Sequence, residues 1–481
     1  WKMRKSLLDT FDKIYILNLH GDKDKKEPDE NVFDIKVGVC ISIFVKLDKP
    51  LKEKEVYYFS TLDNKIMSRK NKYEFLLRND LTKISWKKIE PTKPTYWFFD
   101  FNSKGKTIYN LGWKITDIFK ETVSGIVTQK DKVTVHFDKS ELRKTLKNLI
   151  DLSPEKFKET YGIEDTRDWN VVKVRDHLVN KDLNSFLNIG LGFNSSKLTS
   201  QDWKKIEKER FKEILYRPFD IRVTYMTQEK GFISYPRYEM MKHFILGDNI
   251  GISYLRSFNV NDEWNGILVS SLPTDKHLLP GQRITSVLSP LYLYKNSNGY
   301  TLSKTPNFTK EFIDFIQTRY SMKPSPEQIL GYIYGVLHSR SYREKYQVFL
   351  KTDYPRIPFI DEPDFINLST LGMELVDHHL LKTIYSNSVL KHLHGQNRVV
   401  DHPYYDPSNQ RLYINEDTYF DDIQEEVYAS KVGRVIVLDN YLKSREGRSL
   451  SLDEIEHLKK VIRSLEETLT IMDKIDQIPL P

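Results

Sequence analysis

Two dense apolar runs near the amino end constrain this chain more than any other feature. Residues 14–19 (IYILNL) and 37–45 (VGVCISIFV) are apolar almost throughout. A strand exposed on one face alternates apolar and polar residues, whereas a strand covered on both faces does not need to. The runs therefore predict two buried strands of an α/β sheet, with Cys40 buried in the second. Met3, Leu7, Leu8 and Phe11 precede them at helical spacing. Residues 22–31, between the runs, are charged and predict an exposed loop. A long loop between two buried strands suits function better than packing.

The 481 residues allow about three domains. Further strands are expected at 96–99 and 132–137, the latter after a helix and a turn around Gly125. Residues 139–215 read as mostly helical. Residues 216–300 are rich in Tyr, Arg and Gly, with short strand-like runs. Two helical segments at 311–350 are split by Pro324, Ser325 and Pro326. Pro355 to Pro358 forms a rigid strap. Short strands at 411–414 and 435–438 precede a strong helix at 453–472, with Ser451 as N-cap and Glu454 completing a capping box.

Several chemistries find no support. One cysteine rules out a disulfide framework or a cysteine metal cluster within the chain. No run of about 18 apolar residues is present, so no membrane helix is expected. No secretory leader is visible, and the opening on Trp1 suggests a piece of a longer protein. The Gly-rich turn and the Asn/Asp-Pro-Pro-Tyr/Phe motif of an adenine methyltransferase are missing, as is a Walker A sequence. Asp361, Glu362 and Asp364 read as a solvated acidic turn rather than a nuclease site. His378, His379, His392, His394 and His402 match no closed zinc spacing, so no metal is expected. Lys+Arg 74 against Asp+Glu 67 gives a charge of +7, compatible with a nucleic-acid partner and with many other proteins.

A series of strings in order carries a family resemblance. They are YILNLHG at 15–21, DENVFDIKVGVCISIFVK at 29–46, GIVTQKD at 125–131, YRPFDIR at 216–222 and PRYEMMKH at 236–243. PLYLY at 290–294, YIYGVLHS at 332–339, DYPRIP at 353–358, VLDNYLKSR at 437–445 and IMD at 471–473 follow. Together they resemble the carboxyl-terminal part of type ISP and type IIG-like restriction–modification enzymes with a gamma-class adenine-N6 DNA methyltransferase. The resemblance implies an α/β fold. The end of a Rossmann-like methyltransferase sheet would occupy 1–100 and a mixed α/β target recognition domain 101–365. An α/β and helical region at 366–481 would complete it. It also implies double-stranded DNA as partner, upstream methyltransferase, helicase or nuclease domains in the parent polypeptide, S-adenosylmethionine as cofactor of the intact enzyme, and a cytoplasmic setting. The chain alone would be inactive, the catalytic motifs lying upstream.

In that family an aromatic before the final strand stacks on the flipped adenine, and Phe33 with Lys36 matches that pattern. An aromatic face restores roughly 1–3 kcal/mol of stacking to an extruded base. The plainer reading is a Phe plugging the sheet edge. Thr128, Gln129, Lys130 and Asp131 are short polar and cationic groups on a tight loop, suited to phosphates or base edges, or simply a hairpin turn. Arg217 and Arg222 suit bidentate contact with guanine or phosphate, but Asp220 between them favours an internal ion pair. Arg237, Lys242, His243 and Arg256, interleaved with Tyr225, Tyr235, Tyr238 and Tyr254, read as a groove that clamps a DNA backbone. Arg343 and Arg356 are further phosphate candidates, while Tyr334 and His338 read as core. The rival reading is a structural module that couples helicase or nuclease parts and touches DNA weakly.

Overall fold

The computed structural model describes residues 2–21, 29–91, 96–99, 103–188, 194–257, 263–279, 286–297, 301–386 and 389–481. The chain forms two compact units, Trp1–Leu111 and Gly112–Pro481. Most of the loop expected at 22–31 lies outside the described residues.

In the first unit the helix Lys2–Thr10 leads into the strand Lys13–His20, as the apolar spacing predicts. That strand lies inside a mixed four-stranded sheet. It pairs antiparallel with Val39–Val45 and parallel with Glu55–Ser60, which in turn carries Lys87–Ile89. Ile14, Val56, Tyr58, Ile89 and Phe98 form one small core, and Leu17, Leu19, Val32 and Phe59 another.

Two expectations fail here. The strand Val39–Val45 is an edge strand, exposed along most of its length, with Ile41, Ile43 and Phe44 all open to solvent. Cys40 is exposed as well. Apolar density located the strand but could not say what covers it. Residues 96–99 form no strand; a bend brings Phe98 into the core and Phe99 against it.

The second unit is mixed α/β, with several small sheets among helices. The strands Val123–Ser124, Val287–Pro290, Gly251–Tyr254 and Ile267–Ser270 form one antiparallel sheet. Phe211–Arg217 and Asp220–Tyr225 form a hairpin. Its turn residue Phe219 has φ +59°. Residues 132–137 are not the expected strand, since Asp131–Thr134 makes one helical turn.

Towards the carboxyl end the helix Pro326–His338 crosses Glu362–His379 at backbone distance. A Cβ on Gly372 would lie 1.8 Å from the Gly331 carbonyl oxygen, so only glycine permits the crossing. Leu452–Ile475 then packs beside them, its N-cap Ser451 and Glu454 forming the expected capping box. A last four-stranded sheet runs in the order Leu393–His394, Tyr419–Phe420, Arg411–Tyr413, Tyr404–Asp406.

Candidate nucleic-acid interface

The hairpin of the second unit decides which arginines face inward. Asp220 is fully buried and accepts two bonds from Arg222, at 2.8 and 2.7 Å, and one from Arg445 at 2.9 Å. Arg445 continues to Glu454 at 3.0 Å. Arg222 lies 3.5 Å over the Phe137 ring. Burial works to raise the Asp220 carboxyl, but the two guanidiniums overcome it and hold the group below its ordinary range. Arg222 is thus part of the scaffold and not a DNA-facing residue.

Arg217 is also engaged. It donates to Asp275 at 2.9 Å and stacks 3.8 Å over Tyr216. Tyr216 donates to Asp131 at 2.7 Å, and Thr128 donates to the same carboxylate. Burial pushes Asp275 up to about 6 against the pull of Arg217. These groups fasten the loop 125–131 from beneath. Gly125 lies so close to Asp275 that an added Cβ would meet its carbonyl carbon at 2.4 Å. Val127 exchanges backbone bonds with Tyr235 at 3.0 and 3.2 Å. Of the four loop candidates, buried Thr128 and partnered Asp131 hold the loop together. Gln129 is exposed at its tip with φ +71°, a strained conformation for a residue with a Cβ, and half-buried Lys130 follows.

Beyond Tyr235 opens a groove of about 650 Å³, lined among others by Lys230, Tyr235, Arg237, Tyr238, Lys242 and Lys295. Tyr235 is 37% exposed, with Lys230 4.7 Å and Arg237 5.4 Å from its ring centre. Arg237 is exposed, has φ +50°, and stands just before the helix Tyr238–Ile245 without a capping bond from its side chain. Lys242 pairs with Glu239 on the same helix. His243 is buried beneath them, its Nδ1 accepting from the Tyr294 amide at 2.9 Å, and burial lowers it. It is a structural support rather than a free cation.

The remaining candidates lie elsewhere. Arg256 is exposed, 3.6 Å from Asp353. Arg356 donates to the Gly112 carbonyl at 2.9 Å. Arg343 is half-buried, donating to the Leu337 carbonyl at 2.6 Å and to Asn265 at 2.9 Å, and the desolvation of its guanidinium lowers it to about 10. Its guanidinium is thus engaged by acceptors within the fold. Tyr334 and His338 are core, as expected.

In the first unit Phe33 is 57% exposed and Lys36 is exposed. Phe33 does not plug the sheet edge. Asn31 spans the base of its loop, donating to Gly21 and Val37 at 2.8 Å and accepting from the Phe33 amide at 2.9 Å. Arg69 donates to the Asn31 carbonyl at 2.7 Å and Tyr73 to that of Val32 at 2.6 Å. A fixed loop thus presents a free ring.

Of the histidines, His378 and His379 are buried. Burial holds His379 down to about 3 between Tyr334 and Thr468. His402 comes together with Asp401 and Glu446, all exposed, within 4.8 Å of one another.

Sequence reasoning missed Lys230, Lys295 and Asp275. The two lysines carry a weak signal, as cations within the Tyr- and Arg-rich span 216–300. Asp275 carries none, because its partners beyond its own turn come from two distant segments, at 125–126 and 215–217.

Comparison with known proteins decides the family. The model of the type ISP C-terminal specificity domain matches residues 117–474. The chain belongs to that family. Solved structures agree in fold. The specificity-domain chain is similar to the ATP-dependent type ISP restriction–modification enzyme LlaBIII bound to DNA, at 21% identity and TM-score 0.66 over 99% of this chain and 32% of that one. It is similar to DrdV in a DNA complex, at 21% identity and TM-score 0.63 over 98% of this chain and 48% of that one. It is also similar to a nuclease-deletion mutant of the type ISP enzyme LlaGI with a DNA substrate mimic, at 20% identity and TM-score 0.60, covering 99% and 44%. The chain thus spans a third to a half of the length of these structures. No curated protein matches it. No helix among the described residues is long and apolar enough to cross a membrane.

Proposed function

We propose that this specificity domain reads a target sequence in double-stranded DNA for a restriction–modification enzyme that methylates adenine N6 with S-adenosylmethionine. The observation that carries the reading is the exposed Tyr235 ring flanked by Lys230 and Arg237, at a groove joined through Val127 to the Gln129 loop. Cations along a groove hold the phosphate backbone, and an exposed amide on a fixed loop suits a base edge. A Gln side chain matches the N6 and N7 edge of adenine in the major groove. Lys130, Arg237 and Lys242 take the backbone in this reading, with exposed Arg256 as a further contact. Half-buried Arg356 is at most a marginal one.

Phe33, presented free by its fixed loop, would stack on the extruded adenine, with Lys36 beside it. The Gly-rich turn for the cofactor and the proline-paired acceptor for the adenine amine are not among these residues. Methyl transfer is therefore assigned to the rest of the parent enzyme.

The test is a binding selection over random duplexes, followed by a salt titration on the selected site. The reading expects a preferred sequence bound at least about a thousandfold above scrambled duplexes, with log affinity falling steeply as log salt rises. Gln129→Ala should relax preference at one base pair, by about 1–3 kcal/mol, with little change at the others. Equal, weak binding to all sequences would favour the structural-module alternative.

A further inference from the structure

We propose that the open face of the sheet formed by Leu393–His394, Tyr419–Phe420, Arg411–Tyr413 and Tyr404–Asp406 is a docking surface for a lysine- or arginine-bearing protein segment, not for DNA. Strand register sets the argument. Tyr404 pairs with Tyr413, Tyr413 with Tyr419, and Tyr419 with His394, so all four rings fall on one face. The opposite face carries Leu412 and Phe420, both buried. The rings form a continuous row. Tyr404 and Tyr413 are stacked at 4.6 Å, Tyr413 and Tyr419 lie 5.0 Å apart, and Tyr419 and His394 are stacked at 5.1 Å.

Charge selects the occupant. Residues 401–426 hold eight carboxylates (Asp401, Asp406, Glu416, Asp417, Asp421, Asp422, Glu425 and Glu426) against one arginine, Arg411, in a chain whose net charge is +7. A segment so charged repels a phosphate backbone and draws a cationic side chain, even with Asp422 paired to Lys391 at 2.6 Å.

The sheet already holds one cation in the manner proposed. At the Tyr419 end Arg411 lies 4.3 Å over the ring, with Asp421 at 3.6 Å from its guanidinium. The Tyr404 end offers a second ring on the same face as Asp406, whose carboxylate accepts from Ser408 and Asn409 of its own turn and lies in register with Arg411. Tyr404 is 48% exposed on the edge strand, and after burial the neighbouring Tyr413 and then the charges of Asp406 and Glu416 act on it in raising its phenol. Among the described residues, no lysine or arginine lies over the Tyr404 ring. An incoming guanidinium or ammonium would stack there and be neutralised by the two carboxylates, as Arg411 is by Asp421.

The test uses the full 481-residue chain. The probe is a fluorescein-labelled peptide alternating arginine with serine, followed by anisotropy at low salt. Tyr404→Ala and Glu416→Gln should each weaken binding about tenfold, and Tyr404→Phe, which keeps the ring, should bind as the parent does. Glu155→Gln removes the same charge from an exposed position on the helix Pro154–Tyr161 and should change affinity less than about twofold. The proposal is overturned if the Glu155 and Glu416 variants lose equally, if Tyr404→Ala binds as the parent does, or if Tyr404→Ala weakens binding to duplex DNA instead. A Tyr404→Ala chain that fails to fold leaves Glu416→Gln and Tyr404→Phe to decide.

Discussion

Two surfaces of the specificity domain present tyrosine beside arginine, and they differ in the sign of the charge around them. At the groove, Tyr235 lies between Lys230 and Arg237. With Lys242 and Lys295 these cations outnumber Glu121 and Glu239 on the same walls, and Asp168 accepts from the Tyr235 hydroxyl at 3.2 Å. At the carboxyl-terminal sheet, Tyr404, Tyr413 and Tyr419 stand in a row among carboxylates. Aromatic rings next to guanidinium groups are therefore a poor guide to nucleic acid by themselves. The surrounding charge, set by neighbours distant in sequence, decides which partner each surface suits.

The buried ion cluster at Asp220 gives the largest test of whether both surfaces rest on one cooperative unit. It joins the hairpin beside the groove to Arg445 and, through it, to Glu454 on the last helix. Asp220→Asn leaves two buried guanidiniums short of a counter-charge, and removal of one partner of a buried pair costs about 3–5 kcal/mol. Urea unfolding should show that loss, and binding of duplex and of arginine peptide should fall at the same denaturant concentration. Separate losses would show that the groove and the sheet are independent modules.

Next in size is a pH effect that belongs to the groove side alone. Asp275 lies under the Gln129 loop, and burial raises it from 3.8 to about 6. A carboxyl whose folded value is raised contributes its full stability below the unfolded value of 3.8. That contribution is lost as pH rises through about 6, because the folded state must then carry a buried charge. Between pH 4 and 7 the unit should lose up to about 2–3 kcal/mol from this group, opposite in sign to a carboxylate stabilised by an ion pair. The difference between parent and Asp275→Asn in urea midpoint against pH isolates it. The sheet has no buried carboxylate among the described residues, so the peptide affinity of the two proteins should follow the same pH curve. A slope unchanged by Asp275→Asn would remove the carboxylate from the groove side of the comparison.

How much of this was legible beforehand follows the same division between local and distant causes. The helix Leu452–Ile475 and its capping box, the strand Lys13–His20 and the core positions of Tyr334 and His338 follow from periodicity and from pairs a few residues apart. The Asp220–Arg222 pair was open to suspicion for the same reason. The inward turn of Arg343 was not, because its acceptor Asn265 is 78 positions away. Nor was the exposure of Val39–Val45, since an apolar run reports what a strand can bury and not what is present to cover it. The tyrosine row was invisible for a third reason. Tyr404, Tyr413 and Tyr419 share a face only once strand register is fixed, and a shift of one residue would scatter them.

The smallest effect is the most direct contrast, a matched charge reversal on the two surfaces. Arg237 is exposed at the groove, and Arg237→Glu replaces a backbone contact with a repulsive one. Affinity for the selected duplex should fall about thirtyfold, near 2 kcal/mol, with a shallower salt dependence because fewer phosphates are neutralised. Arg411→Glu makes the same change on the sheet. It should leave duplex affinity within about twofold, since the face already repels phosphate, and strengthen binding of the arginine peptide by freeing the Tyr419 ring and Asp421. Equal losses of DNA binding in the two variants would mean that duplex runs over both surfaces.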